Sequence, residues 1–241
     1  MDKRFRVEVL GSMPVPNKIT YAALHQDYSE GFVGDLYDEF PEETECGEIT
    51  VRRLLKGERG HYGPLEHAGI VFNVGWFPHS VMQQARTHRV GISFDVQSMR
   101  YTGARICKAA TGEIELEEAF YLRPIGDYAD RKGNKYTYSP EERQIDLQLC
   151  YAAAQRYKDL IDKGFAEEHA RGILPFDYRQ HFVLSVNIRS ALHFMDLRAK
   201  LDAQLEIRQM CELMWPHLKA WVPEICDYYE KNRLHRARLA P

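Results

Sequence analysis

Residues 139–164 are the most sharply punctuated stretch in this sequence. Ser139 is a helix cap, and Pro140 suits the first helical position. Glu141 and Glu142 fall in the first turn, where the helix dipole favours anions, and Gly164 is a stop signal. The stretch predicts one long helix with Leu149, Ala152, Ala153 and Leu160 as an apolar stripe for the core or for a second subunit. Elsewhere the period changes to two. Phe5, Val7 and Val9 alternate with Arg4, Arg6 and Glu8 and predict a strand ending near Gly11. Ile70, Phe72, Val74 and Trp76 alternate with small or polar residues across 68–77, and Phe182, Leu184 and Val186 predict a buried strand that runs into a helix over 190–200.

The remaining stretches carry weaker signals. Asn17 is placed to cap a helix through Tyr21, Leu24 and His25. Residues 28–47 are acidic and hold Gly31, Gly34 and Pro41, which predicts a flexible excursion. Ile49, Arg52, Arg53, Leu54 and Leu55 predict a short helix stopping at Gly57. Residues 113–124 read as a strand, 127–138 as a tyrosine-rich loop, and 166–175 as a short helix closed by Gly172. A last helix over 201–221 packs Leu205, Met210, Leu213, Met214 and Leu218, and the basic tail 231–241 reads as a frayed, solvated end.

A chain of 241 residues with 44% hydrophobic content can bury a sizeable core as one large domain or as one domain with excursions. No run of about 18 apolar residues predicts a membrane span. The charges interleaved at the N-terminus lack the apolar centre of a signal peptide, so the expected location is the cytoplasm. Cysteines 46, 107, 150, 211 and 226 are odd in number and scattered, giving neither a disulfide framework nor a zinc spacing. A net charge of −3 offers no global attraction to nucleic acid. Neither a Walker pattern nor the Gly-x-Gly of a dinucleotide fold occurs.

Basic groups cluster locally instead. Arg86, His88, Arg89 and Arg100 stand beside Gln83, Gln84, Ser93, Gln97 and Ser98, with Asp95 as the one carboxylate among them. Residues 78–89 predict a short helix with cations in its last turn, and 90–101 a loop. Guanidinium forks, serine hydroxyls and backbone amides suit a phosphate, while a solvated helix end followed by an ordinary loop is the other reading. Glu66-His67 before a strand invites a metal or acid–base role, or a packing role for an isolated histidine. A second polar set lies at the junction VNIRSALHFMDLR. Asn187 and Arg189 stand at the turn, His193 one helical turn on, and Arg198 beyond it, with Leu192, Phe194 and Leu197 for the core. A plain amphipathic helix gives the same pattern.

The order Thr87-His88-Arg89, then Ser93, then Ser98 with Arg100-Tyr101, resembles the signature of the flavin-dependent thymidylate synthases. That signature usually reads Arg-His-Arg, two spaced serines and Arg-Tyr. Here Thr87 stands for the first Arg, and the gap from Arg89 to Ser93 is one residue longer than the commonest form. Three other blocks match in order. His61, Pro64, Glu66 and His67 fit a His-x-x-Pro-x-Glu-His stretch. Ala170, Arg171, Leu174 and Pro175 fit an Ala-Arg-x-x-Leu-Pro stretch. Asn187, Arg189, Ser190, His193, Leu197, Arg198, Gln204 and Glu206 fit the third. The signature occupies residues 87–98 of a domain spanning 1–241.

The resemblance implies a mixed α/β (α+β) single domain with a mostly antiparallel central sheet flanked by helices, assembled as a homotetramer whose sites draw on several subunits. It implies conversion of dUMP to dTMP, with methylenetetrahydrofolate as carbon donor and NADPH-reduced FAD as hydride source. It places Gln84, Ala85, Arg86, Thr87, Gln97, Ser98, Met99, Arg100, Arg171 and Arg198 at the nucleotide. Gly63, Thr87, His88, Arg89, Asn187, Ile188, Arg189 and His193 fall at the flavin. Arg198 would lie against the uracil carbonyls and favour the ionised ring, no metal is called for, and Arg86 stands near to compensate for Thr87. Asp202 stands where many relatives have His, in the region of the folate. The uracil carbon is a poor nucleophile and needs a thiolate or charge stabilisation. Among the cysteines only Cys107, near Arg105 and Lys108, has cationic neighbours, so charge stabilisation is expected. Ser98 lacks the elbow motif of a nucleophile. Three alternatives remain at this point: another nucleotide-dependent flavin oxidoreductase, a non-catalytic nucleotide- or RNA-binding domain, and a flavin-free nucleotide hydrolase.

Overall fold

The computed structural model describes residues 1–57, 60–130 and 132–236. In chain order the strands are β1 (Arg6–Ser12), β2 (Gly69–Pro78), β3 (Ile92–Val96), β4 (Gly126–Ala129), β5 (Lys135–Tyr138) and β6 (Arg179–Asn187). The helices are α1 (Pro16–Gln26), α2 (Val33–Leu36), α3 (Glu43–Thr50), α4 (His79–Ala85), α5 (Ala104–Thr111), α6 (Leu116–Ala119), α7 (Pro140–Asp162), α8 (Glu167–Ala170), α9 (Ile188–Arg198), α10 (Leu205–Trp221) and α11 (Pro223–Asn232). Four strands form a sheet in the order β1-β2-β6-β3, and β4 and β5 form a separate pair. Ile188 N donates to Ala68 O while His79 N donates to Tyr178 O, so β2 and β6 run antiparallel. Asn187 N to Gly91 O and Gln97 N to His181 O give the same sense to β3 and β6. No helix among the described residues is long and apolar enough to cross a membrane.

The chain forms two compact units. Unit 1 holds residues 1–6, 74–87 and 95–182, and unit 2 holds 7–73, 88–94 and 183–241.

Unit 1 is built on α7. The Ser139 hydroxyl accepts from Glu142 N, Pro140 opens the helix, and Gly164 follows it at φ 79°, as the punctuation predicts. The inward face is Cys150, Ala154, Tyr157 and Leu160, packed with Ile106, Ala109 and Ala110 of α5 and with Met99, Ala119, Phe120 and Ala170. Of the expected stripe, Leu160 is core and Leu149 is 62% exposed. Residues 113–124 are not a strand. Leu116, Ala119 and Phe120 have helical spacing, with Glu117 and Glu118 in a first turn, and only Phe120 enters a β-bridge, to Tyr178. The stretch expected to be a loop instead pairs as two strands, β4 and β5. Asp127 pairs with Thr137 and Tyr128 with Tyr136, and the Asp130 carboxylate accepts from Lys132 N and Asn134 N to close the turn.

In unit 2, Met13 N donates to Gly69 O at the end of β1. Val7 is buried there, but Val9 and Leu10 are exposed, so the first strand is wetter than its alternation suggests. α1 is capped from a distance. Asn17 is buried, and Asn17 N and Lys18 N both donate to the Glu43 carboxylate at 2.6 and 2.9 Å. A carboxylate from α3 therefore does the work expected of the Asn17 side chain, which donates to Glu224 instead. Residues 28–47 hold α2, a 3-10 turn at Tyr37–Glu39 and the start of α3. The helix expected from Ile49 begins earlier, at Glu43, and passes into a π-helical turn over Val51–Leu55. α10 buries Ile207, Met210, Cys211, Met214 and Leu218, and Pro223 starts α11 as a further helix. The basic tail is tied down at its start. Arg233 pairs with Asp196 at 2.7 Å and His235 Nδ1 donates to Ala199 O, whereas residues 237–241 lie outside those described.

Candidate active site

Unit 1 carries most of the residues expected at the nucleotide. α4 is shorter than predicted because Thr87 Oγ1 donates to Gln84 O at 2.7 Å, closing the helix end with Arg86 exposed beside it. The region read as a loop contains β3, in which Ile92, Phe94 and Val96 are half-buried and Ser93 and Asp95 exposed. Gln97 continues the strand in an unusual way. Its backbone N donates to His181 O, and its side-chain oxygen accepts from His181 N at 3.0 Å, an extra rung on β6. After it the chain turns sharply. The Ser98 carbonyl accepts from Tyr101 N and from the Thr102 amide and hydroxyl, and its Oγ accepts from Arg100 N at 3.4 Å. Met99 drops into the core of the unit while Arg100 stays exposed over the Tyr101 ring at 5.5 Å. Turn, serine and free-standing guanidinium together are what an oxyanion requires. Burial raises the pKa values of Tyr157 and Tyr178, and Arg171, exposed just after α8, opposes that rise at both without overcoming it.

Unit 2 carries the residues expected at the flavin except Thr87, together with Arg198. The Asn187 side chain caps α9 by accepting from Ser190 N at 2.8 Å, and Ser190 Oγ donates to Val90 O. This locks the segment after His88 onto the strand-to-helix junction. Arg189 is exposed and pairs with Glu66 of the 3-10 turn Gly63–Glu66, so the metal reading of Glu66-His67 gives way to an ion pair. One turn into α9, the His88 ring lies 5.7 Å from the His193 ring and 4.8 Å from that of Phe194. Arg198 Nε donates to His88 Nε2 at 3.0 Å. Burial, then Arg198 and His193, hold the His88 pKa down at about 4. Burial also lowers that of Arg198, though an arginine stays charged at neutral pH.

None of the thiols is poised to ionise. Burial pushes Cys46 and Cys150 up to about 11 and Cys226 to about 12, and it raises Cys211 and Cys107 as well. At Cys107 the opposing cation is Lys158, and it does not overcome burial.

Against known proteins, residues 8–224 match the family described as thymidylate synthase complementing protein. The flavin-dependent thymidylate synthase of Haloarcula marismortui is 34% identical over 98% of this chain and 99% of its own length. That of Halobacterium salinarum is 32% identical over 98% of this chain and all of its own. The chain belongs to the flavin-dependent thymidylate synthase family. Its fold is similar to that of a UMP/dUMP methylase, PolB from Streptomyces cacaoi, crystallised with 5-Br dUMP, at a TM-score of 0.75 and 22% identity over 97% of each chain.

Within this flavin-dependent thymidylate synthase fold, unit 1 brings together Gln84, Ala85, Arg86 and Thr87 on one helix end, and Gln97, Ser98, Met99 and Arg100 on one turn. Ala85 and Met99 are buried. Unit 2 brings together His88, His193 and Arg198, and separately Arg189 with the turn that begins at Gly63. Ile188 is a core residue whose amide donates to Ala68 O. Sequence reasoning missed two polar networks in unit 1. In the first, the Gln83 amide donates to His79 Nε2 and His79 Nδ1 to Gln180 Oε1, with the His79 ring stacked on Tyr178 at 4.8 Å. In the second, the wholly buried Arg179 pairs with Asp2 and donates to Trp76 O at 2.7 Å, and Arg105 donates to His181 Nε2 at 3.1 Å. Their signal was the run Arg179-Gln180-His181 at the head of a strand whose next residues, Phe182, Val183 and Leu184, are apolar.

Proposed function

We propose that this chain converts dUMP to dTMP, taking the carbon from methylenetetrahydrofolate and the hydride from FAD that NADPH reduces. In this reading residues 1–241 act as one synthase domain in the cytoplasm. The observation that carries the mechanism is a contrast of charges: all five thiols are held protonated, while Arg198 is a permanent, partly buried cation. Activation of the pyrimidine by a thiolate is therefore disfavoured, and stabilisation of negative charge on the ring by Arg198 is favoured. Arg100, Arg86 and Arg171, with Ser98 and the neighbouring backbone, grip the nucleotide phosphate. Gln84, Ala85, Gln97 and Met99 line its path, and Thr87 contributes through the helix end that it closes.

The residues present fit FAD. Arg89, Arg189 and His193 are exposed donors, Asn187 offers an amide, and at Gly63 a Cβ would meet nothing within 4 Å, leaving the turn open to a ligand. His88, Arg89, Asn187, Ile188, Arg189 and His193 would hold the cofactor, with Thr87 where the family usually has Arg. When bound, reduced FAD supplies the hydride. A homotetramer is supported by the exposed apolar pair Ile145 and Leu149, one turn apart on α7.

Purified protein should be yellow and release FAD on denaturation, and Arg89→Ala with Arg189→Ala should lose the flavin without unfolding. A folded native protein that takes up no FAD would contradict this reading.

A further inference from the structure

His88 has a partner inside unit 2 that the flavin assignment does not use. Its Nε2 accepts the Nε–H of Arg198 at 3.0 Å. An imidazole nitrogen accepts only through a bare lone pair, so in the neutral ring the proton sits on Nδ1. The ring is steadied from the sides by His193 at 5.7 Å and Phe194 at 4.8 Å. The charged and titratable groups that act on it are Arg198 and His193. With burial, they keep the pKa of His88 at about 4, so the lone pair is available at neutral pH.

The consequence falls on Arg198. A guanidinium is planar, and a long flexible side chain lets that plane rotate. A hydrogen bond at Nε anchors the plane at its inner edge and orients the two terminal nitrogens, the fork that matches paired acceptors such as the carbonyls flanking a pyrimidine N3. A donor oriented beforehand costs no reorganisation at the transition state.

We propose that His88 is a positioning residue for Arg198, fixing the guanidinium plane through Nε so that its terminal donors meet the pyrimidine of a bound nucleotide in a set orientation. This rests on the reading that Arg198 faces the uracil, and it gives the middle residue of the Thr-His-Arg run a role besides holding flavin.

The test reads the ring directly. Fluorine-19 NMR of 5-fluoro-dUMP bound to the full-length protein, at matched flavin occupancy, follows ionisation at N3 against pH. A positioned guanidinium favours the ionised ring, so the native protein should lower the bound ionisation pKa. His88→Phe keeps a ring but has no acceptor, and should weaken ionisation roughly tenfold, about one pKa unit. His88→Gln keeps an acceptor and should recover most of it, a rescue that a purely packing role for the ring would not give. Native ionisation in His88→Phe alongside a loss in Arg198→Ala overturns the proposal. No effect of Arg198→Ala overturns it too, and dTMP formation by the native protein then tells whether the synthase reading survives. Should His88→Phe not fold, nitrogen-15 NMR of the native histidines decides. A neutral ring with bare Nε2 between about pH 5 and 8 supports the proposal, and protonated Nε2 or ordinary titration overturns it.

Discussion

At Gly91 the backbone sits at φ 64°, and a Cβ there would collide with Asn187 Nδ2 and Ser190 Oγ, the two side chains that lock the strand-to-helix junction. Gly91→Ala therefore carries both left-handed backbone strain and a clash, and should cost about 1–3 kcal/mol in urea unfolding. His88 makes a prediction of opposite character. Its folded pKa of about 4 lies below the ordinary value of 6.5, so the unfolded chain binds the extra proton first. Its contribution to stability is full above about 6.5 and is lost as pH falls toward 4. The stability of His88→Gln should thus fall less steeply than that of the native protein across this window, as thermal melts at stepped pH would show. At the phosphate, Arg100→Ala and Arg171→Ala should each raise KM for dUMP about 10- to 100-fold, the worth of a charge-assisted hydrogen bond. An unchanged KM in steady-state assays would remove that residue from the phosphate site.

Among the elements, those with end signals were legible and those defined by partners were not. α7 could be placed from Ser139, Pro140 and Gly164, and Ser139→Ala should cost about 1 kcal/mol in equilibrium unfolding. β2 and β6 declared themselves by alternation because both bury every second side chain over most of their length. β3 hid behind its arginine-rich surroundings although Ile92, Phe94 and Val96 alternate, since the polar residues on either side interrupt the pattern. The hairpin of β4 and β5 has strands of four residues with little apolar content, and α6 is a single turn; neither is long enough for a period to show. The α1 cap was illegible in principle, because Glu43 lies 26 residues away in sequence from Asn17. The candidate site residues could be set only in order along the chain, not in their contacts. The rung made by the Gln97 side chain and the bond from Arg198 to His88 join distant segments, and no spacing rule reaches across them.

For the whole molecule, the exposed face of α7 gives the assembly its test. Leu149→Glu places a charge on a surface that is 62% exposed in the single chain, so it should leave folding intact. If copies of the chain meet there, sedimentation should show the mass falling from about four times 28.1 kDa, with loss of activity as the sites come apart. The central claim, that flavin hydride and charge stabilisation by Arg198 together make dTMP, is tested most directly in one anaerobic assay. Flavin-stripped protein is given dUMP, methylenetetrahydrofolate and NADPH, with and without FAD, for the native chain and for Arg198→Ala. We predict dTMP only when FAD is present, with a loss of about 100-fold or more in the variant. No dTMP from flavin-loaded native protein, or undiminished dTMP from Arg198→Ala, would contradict it.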